Sequence, residues 1–170
     1  QYGQDADGDP ELTAFVATND GYLHAFDAAT GIEKFSFIPQ ELLTQLPAVM
    51  ENNRTEKTYG LDGSVVAWIQ DDDNVTGISK TATGANPASG DHVYLYFGMR
   101  RGGRNIYAMN VTDPDSPELM WVIRGGQGDY ANLGETWSTV NVEKIKDGDT
   151  EKTVLVFGGQ DDSRFFAMKR

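Results

Sequence analysis

A chain of 170 residues that sets 14 Lys and Arg against 26 Asp and Glu carries a formal charge of −12, and its apolar and aromatic shares are 39% and 11%. This describes one modest domain or part of a larger one, and the charge argues against nucleic-acid or membrane-surface binding while favouring divalent cations. The chain has no cysteine, which excludes disulfides, thiolate metal sites and a thiol nucleophile and leaves the compartment open. No apolar run approaches the roughly eighteen residues of a membrane-spanning helix. The opening Gln1-Tyr2-Gly3-Gln4-Asp5 lacks the basic and apolar regions of a signal peptide, so the sequence reads as a soluble, mature segment.

In chain order, the first feature is Asp5-Ala6-Asp7-Gly8-Asp9-Pro10-Glu11. Alternate carboxylates across a tight turn let Asp5, Asp7 and Asp9 converge on a hard cation of the Ca²⁺ type. The position four beyond Asp9 is Thr13 rather than a closing carboxylate, and the competing reading is a solvated acidic turn. Residues 12–27 (LTAFVATNDGYLHAFD) predict a strand, a turn and a strand, and 31–37 (GIEKFSF) a third strand. Residues 39–46 (PQELLTQL) predict the one helix, with Pro39 in its first turn and Leu42, Leu43 and Leu46 on one face. Residues 64–69 (SVVAWI) predict a fourth strand. In 71–79 (DDDNVTGIS), Asp72, Asn74 and Thr76 fall at ligand positions of an EF-hand-type calcium loop; the closing position is Thr83, not Glu, and an ordinary polar loop competes. The small, polar residues 80–90 predict a surface loop.

Residues 92–110 (HVYLYFGMRRGGRNIYAMN) then repeat the strand–turn–strand pattern, followed by strands at 118–123 (ELMWVI) and 137–145 (WSTVNVEKI). Residues 153–169 (TVLVFGGQDDSRFFAMK) repeat it a third time, so that HAFD, YAMN and FAMK occupy equivalent places. The uneven spacing of Ala25, Ala108 and Ala167 puts an insertion in the first unit. Repeated four-stranded antiparallel units describe an all-β fold, a β-propeller arc of about two and a half blades covering 12–38, 64–124 and 137–170. Burial on both blade faces explains the nearly unbroken apolar runs at 93–97 and 154–157. The first blade lacks its first strand and the third its last. Because a ring closes with roughly four to eight blades, the arc is expected to belong to a longer polypeptide or to self-associate through its exposed faces.

Arg100, Arg101 and Arg104 surround Gly102-Gly103, a basic island that could cradle an anion. The plainer reading is a hairpin whose glycines take positive φ and whose arginines pair with carboxylates of neighbouring blades. His24 lies within an apolar strand and His92 at a strand start, and with no Asp or Glu dyad placed beside either, both read as structural. The aromatic residues, Trp68, Trp121 and Trp137 among them, read as packing between blades, with a carbohydrate platform as the rarer use. Gly125-Gly126-Gln127-Gly128 lacks the Lys-Ser/Thr of a phosphate loop and reads as a turn.

The stretches AFVATNDGYLHAFDAATGIEKFSFIP (14–39), YGLDGSVVAW (59–68), YFGMRRGGRNIYAMNVTDP (96–114) and LGETWSTVNV (133–142) together resemble the propeller domain of the PilC/PilY family. Those are large tip-associated adhesins and biogenesis factors of bacterial type IV pili. The resemblance implies a non-enzymatic propeller at the pilus tip or outer membrane, extracellular or at the cell surface. It would support pilus assembly, retraction control and attachment, with minor pilins and a host or abiotic surface as partners and calcium as modulator in some members. The family's Asp-x-Asp-x-Asp-Gly-x-x-Asp loop has no intact copy here, and neither has an Arg-Gly-Asp tripeptide; the nearest strings are MRRGGR and GGQGDY. Two alternatives stay open: a quinone-dependent dehydrogenase, whose repeats also carry turns like Ala28-Ala29-Thr30-Gly31, and a periplasmic scaffold for outer-membrane assembly.

Overall fold

The computed structural model describes residues 1–51, 57–71, 77–78 and 90–159, and the backbone of 166–169. Its strands are β1 (Thr13–Ala17), β2 (Leu23–Asp27), β3 (Glu33–Phe37), β4 (Val65–Gln70), β5 (His92–Gly98), β6 (Ile106–Asn110), β7 (Glu118–Ile123), β8 (Asn141–Asp147), β9 (Thr150–Phe157) and β10 (Phe166–Lys169). They form three antiparallel sheets in the orders β1-β2-β3, β4-β5-β6-β7 and β10-β9-β8. The strand that follows the first unit therefore hydrogen-bonds to β5, with Val65 opposite Phe97 and Gln70 opposite His92, and opens the second sheet.

The middle sheet shows why the apolar runs do not alternate. Side chains along a strand point to opposite faces. Leu95 and Phe97 of β5, with Tyr107 and Met109 of β6, enter one core with Leu23, Phe15, Phe35 and Phe37. Their neighbours Tyr96, Ile106 and Ala108 enter a second core with Leu155, Phe157, Val140 and Trp121. Both faces are thus dry, and each large side chain sealed there is worth about 1.5–3 kcal/mol of transfer free energy. Phe97 stacks on Tyr107 at 5.4 Å and Phe37 meets both rings edge-on, tying the first sheet to the second.

Two predicted elements differ from what is observed. Residues 40–45 form a 3₁₀ helix and only Leu46–Glu51 form the α-helix α1, with Pro39 as the flanking cap rather than inside the first turn. Pro47 explains the change: with no N–H to donate, it is accommodated at the start of a new helix rather than in the middle of one. Of the three leucines expected on one buried face, Leu42 is buried and Leu43 is exposed. The segment is pinned instead by Glu41, whose carboxylate accepts from Tyr107 Oη and Asn105 Nδ2. The strand predicted from Trp137 begins at Asn141, because Ser138 Oγ bonds both the amide and the carbonyl of Gly158 and Thr136 Oγ1 is committed to the β5–β6 turn.

Candidate functional site

Strands that alternate in direction bring every second connection to the same end of their sheet. The β1–β2 turn, the β5–β6 turn and the connectors leading into β4 and β8 consequently emerge together. They interlock through backbone. Leu61, fully buried, donates its N–H to Thr18 O, and Asn19 Oδ1 accepts from the Gly60 amide at 3.4 Å. Thr136, also buried, accepts from the amides of Met99 (2.9 Å) and Arg100 (3.3 Å) through its hydroxyl oxygen and donates to Asn105 O at 3.4 Å. A methyl on Gly60 would overlap Gly21, and one on Gly102 would overlap the Gly60 carbonyl. Side-chain-free backbone is what lets these segments touch.

The arginine island stands on this interlock. The residue with positive φ in the β5–β6 turn is Arg100, at 48°, and not the Gly-Gly pair expected from sequence; Gly102 and Gly103 are present for close approach. Arg100 Cζ lies 5.1 Å from the centre of the Trp137 ring and Arg101 Cζ 5.4 Å from the same ring, while Arg101 also lies 5.0 Å from the Tyr59 ring. Trp137 donates its indole N–H to Glu135 at 2.9 Å and remains 38% exposed, so it serves as a partly open aromatic wall rather than an inter-blade core residue. Pairing with carboxylates is weaker than predicted. Arg101 Nε stands 3.8 Å from Asp62 Oδ2, and Arg100 Nη1 reaches the Asp62 carbonyl at 3.5 Å.

The acidic turn lies near the other end of the second sheet, where Tyr2 Oη donates to Val111 O and Gln1 O accepts from Ile78 N–H. Burial pushes the Tyr2 phenol well above its usual range, helped by the nearby Asp113 charge. Asp5, Asp7 and Asp9 lie together in this turn. Asp5 Oδ1 accepts from the amides of Asp7 (3.0 Å) and Asp9 (2.9 Å), so the carboxylate closes its own turn, and among the described residues no three His, Asp or Glu side chains gather as metal ligands. Asp72, Asn74 and Thr76 lie outside the described residues, as do residues 80–89 and the Asp161-Asp162 turn.

Sequence reasoning missed one carboxylate partner. His24 Nδ1 is 2.7 Å from Glu33 Oε1, although the two are nine residues apart, because the β2–β3 pairing slips at Ala25/Phe26 and brings Glu33 within reach across the sheet. His92 is buried, stacked on Tyr94 at 4.5 Å and bonded to Gly90 O. An open cleft of about 470 Å³ runs between Trp121–Arg124 and Gln127–Tyr130.

Against known proteins, the PilY1 beta-propeller domain model matches residues 4–156. The chain belongs to the PilY1 β-propeller family. A type IV pilus biogenesis factor PilY1 homolog of Xylella fastidiosa (strain Temecula1) is 32% identical over 134 residues, covering 79% of this chain and 10% of the relative. PilY1 of Pseudomonas aeruginosa (strain UCBPP-PA14) is 29% identical over 141 residues, again 79% of this chain and 10% of the relative. The chain therefore spans about a tenth of the length of these PilY1 relatives. The crystal structure of the Pseudomonas aeruginosa PilY1 C-terminal domain superposes with a TM-score of 0.53 at 24% identity, over 95% of this chain and 32% of that one, which fixes the fold as part of a PilY1-type propeller.

Proposed function

We propose that this PilY1 propeller segment works without making or breaking bonds, as a stiff binding platform within a type IV pilus biogenesis factor at the bacterial cell surface. It would act in pilus assembly and surface attachment, with minor pilins and a host or abiotic surface as partners. The observation that carries the reading is the family match across residues 4–156. The interior supports it: the middle sheet is dry on both faces, and the connecting loops are locked by backbone contacts, as suits a surface that must hold its shape under pulling. Among the described residues, Tyr2, Asp27, Tyr107 and Tyr130 have displaced proton affinities, and they sit in turns and packing contacts. The edge of β1, which no described strand covers, would be met by further blades or by a second copy.

Excising this domain from the parent gene in a piliated bacterium tests the proposal. Fewer surface pili or weaker attachment, with the truncated protein still exported, is the expected outcome. Normal piliation and normal attachment would overturn it, as would a bound-cofactor absorbance and dye reduction on adding pyrroloquinoline quinone with calcium.

A further inference from the structure

We infer that Arg100, Arg101, Trp137 and Tyr59 form a recognition site for a single carboxylate carried on an otherwise neutral peptide. Consecutive arginines on an extended strand would point to opposite faces. Here the left-handed backbone of Arg100 brings both guanidinium groups over one indole, a conformation that disfavours any side chain and so is held by its surroundings. Among the described residues, the buried Arg100 Nε makes no hydrogen bond, and the Asp62 carboxylate stands beyond hydrogen-bond reach of Arg101 at 3.8 Å. The sealed Arg100 Nε is out of a ligand's reach, but among the described residues Arg100 Nη2 and both Nη groups of Arg101 make no hydrogen bond, and a carboxylate fits such guanidinium edges with paired hydrogen bonds. The rings of Trp137 and Tyr59 flank the forks and exclude water on their sides, strengthening a charged contact made between them.

The charge of the whole chain selects among anions. A net charge of −12 repels phosphate dianions, nucleic acid and polyanionic polymers more than it repels one carboxylate. Aromatic flanks favour neutral or apolar residues on either side of that carboxylate. Its source is either a chain terminus or a lone Asp or Glu side chain. The site is independent of whether the parent protein acts in attachment.

Isothermal titration of the full-length parent protein with three short unlabelled peptides of Ala, Leu and Tyr decides the matter. The first has a free carboxyl terminus and no acidic side chain, the second is amidated and carries one central Glu, and the third is amidated with Gln in its place. At least one carboxylate peptide is expected to bind about tenfold or more tightly than the Gln peptide. Which one binds identifies the source. Arg101→Gln should remove that preference, Arg101→Lys should keep the charge but lose most of the affinity, and Lys146→Gln, on the exposed strand β8, should change nothing. If Arg101→Gln fails to fold, the Arg101→Lys arm decides. Equal binding of the Gln peptide, binding of none of the three, equal loss in Lys146→Gln, or displacement of the peptide by inorganic phosphate at lower concentration than by acetate would each overturn the assignment.

Discussion

Gly102→Ala is the sharpest probe of the loop interlock. The added methyl would overlap the Gly60 carbonyl oxygen and lie 2.7 Å from its carbon and 3.0 Å from the Tyr59 oxygen, against the roughly 3.5–4.0 Å at which carbon contacts become favourable. Everything it strikes is backbone, so no side-chain rotation relieves the clash and the connector into β4 must move as a whole. That connector carries Leu61, fully buried and bonded to Thr18, and Asp62 beside Arg101. Ordinary overpacking costs about 1–3 kcal/mol, and a rigid collision that also drags a core leucine belongs at or above the top of that range, about 3 kcal/mol. At about 2–4 °C per kcal/mol for a domain of this size, the melting temperature should fall by about 6–12 °C. Gly158→Ala is the matched control: its methyl would meet only Ser138 Oγ, at 3.9 Å, and the expected change is within about 0.5 kcal/mol. Melting followed by circular dichroism compares the two. Equal shifts for both variants would refute the claim that glycine at 102 is there for close approach.

Three further outcomes follow from individual contacts. Thr136→Val should cost about 1–3 kcal/mol in urea unfolding, because the buried amide of Met99 loses its acceptor, whereas Thr136→Ser should cost much less. Tyr107→Phe removes the phenol that donates to Glu41 and should speed hydrogen exchange in residues 40–51 without altering the middle sheet; unchanged exchange there would show that Leu42 and the Asn105–Glu41 contact hold the segment without the phenol. Asp27 is held below the ordinary aspartate range first by the Thr30 hydroxyl, then by the Thr30 and Ala29 amides, with a lesser contribution from Lys34. Its contribution to stability is therefore present above the unfolded-state value and is lost as pH falls through the folded-state value, so Asp27→Asn should flatten the acid limb of the stability curve and a carboxyl NMR titration should midpoint below an exposed aspartate.

The sheets were legible because each strand announces itself locally. The runs at 93–97 and 154–157 are apolar at successive positions, and only burial on both faces makes that tolerable. The repeated HAFD, YAMN and FAMK then fix the order of strands without reference to distant residues. What stayed hidden depends on pairs far apart in the chain. Nothing near Gly102 signals that Gly60 will press against it, and nothing near His24 signals that a slipped register will deliver Glu33. The acidic turn illustrates a related limit of local pattern: alternation of Asp5, Asp7 and Asp9 describes a cation cage and an Asx-closed turn equally well, and only the structure shows that the Asp5 carboxylate accepts from the amides of its own turn.

The arginine island follows the same logic. Sequence supplies a basic cluster and two glycines, and a hairpin with surface ion pairs satisfies both. Only the three-dimensional register of the connectors shows that Tyr59 and Trp137, lying 42 residues before and 36 residues after Arg101, converge on it. If the glycine contacts set that register, the aromatic walls depend on Gly60 and Gly102 as much as on their own identities. Gly60→Ala should then weaken carboxylate binding while leaving both arginines in place, and retention of full binding in a variant whose melting point had fallen would separate the walls from the interlock.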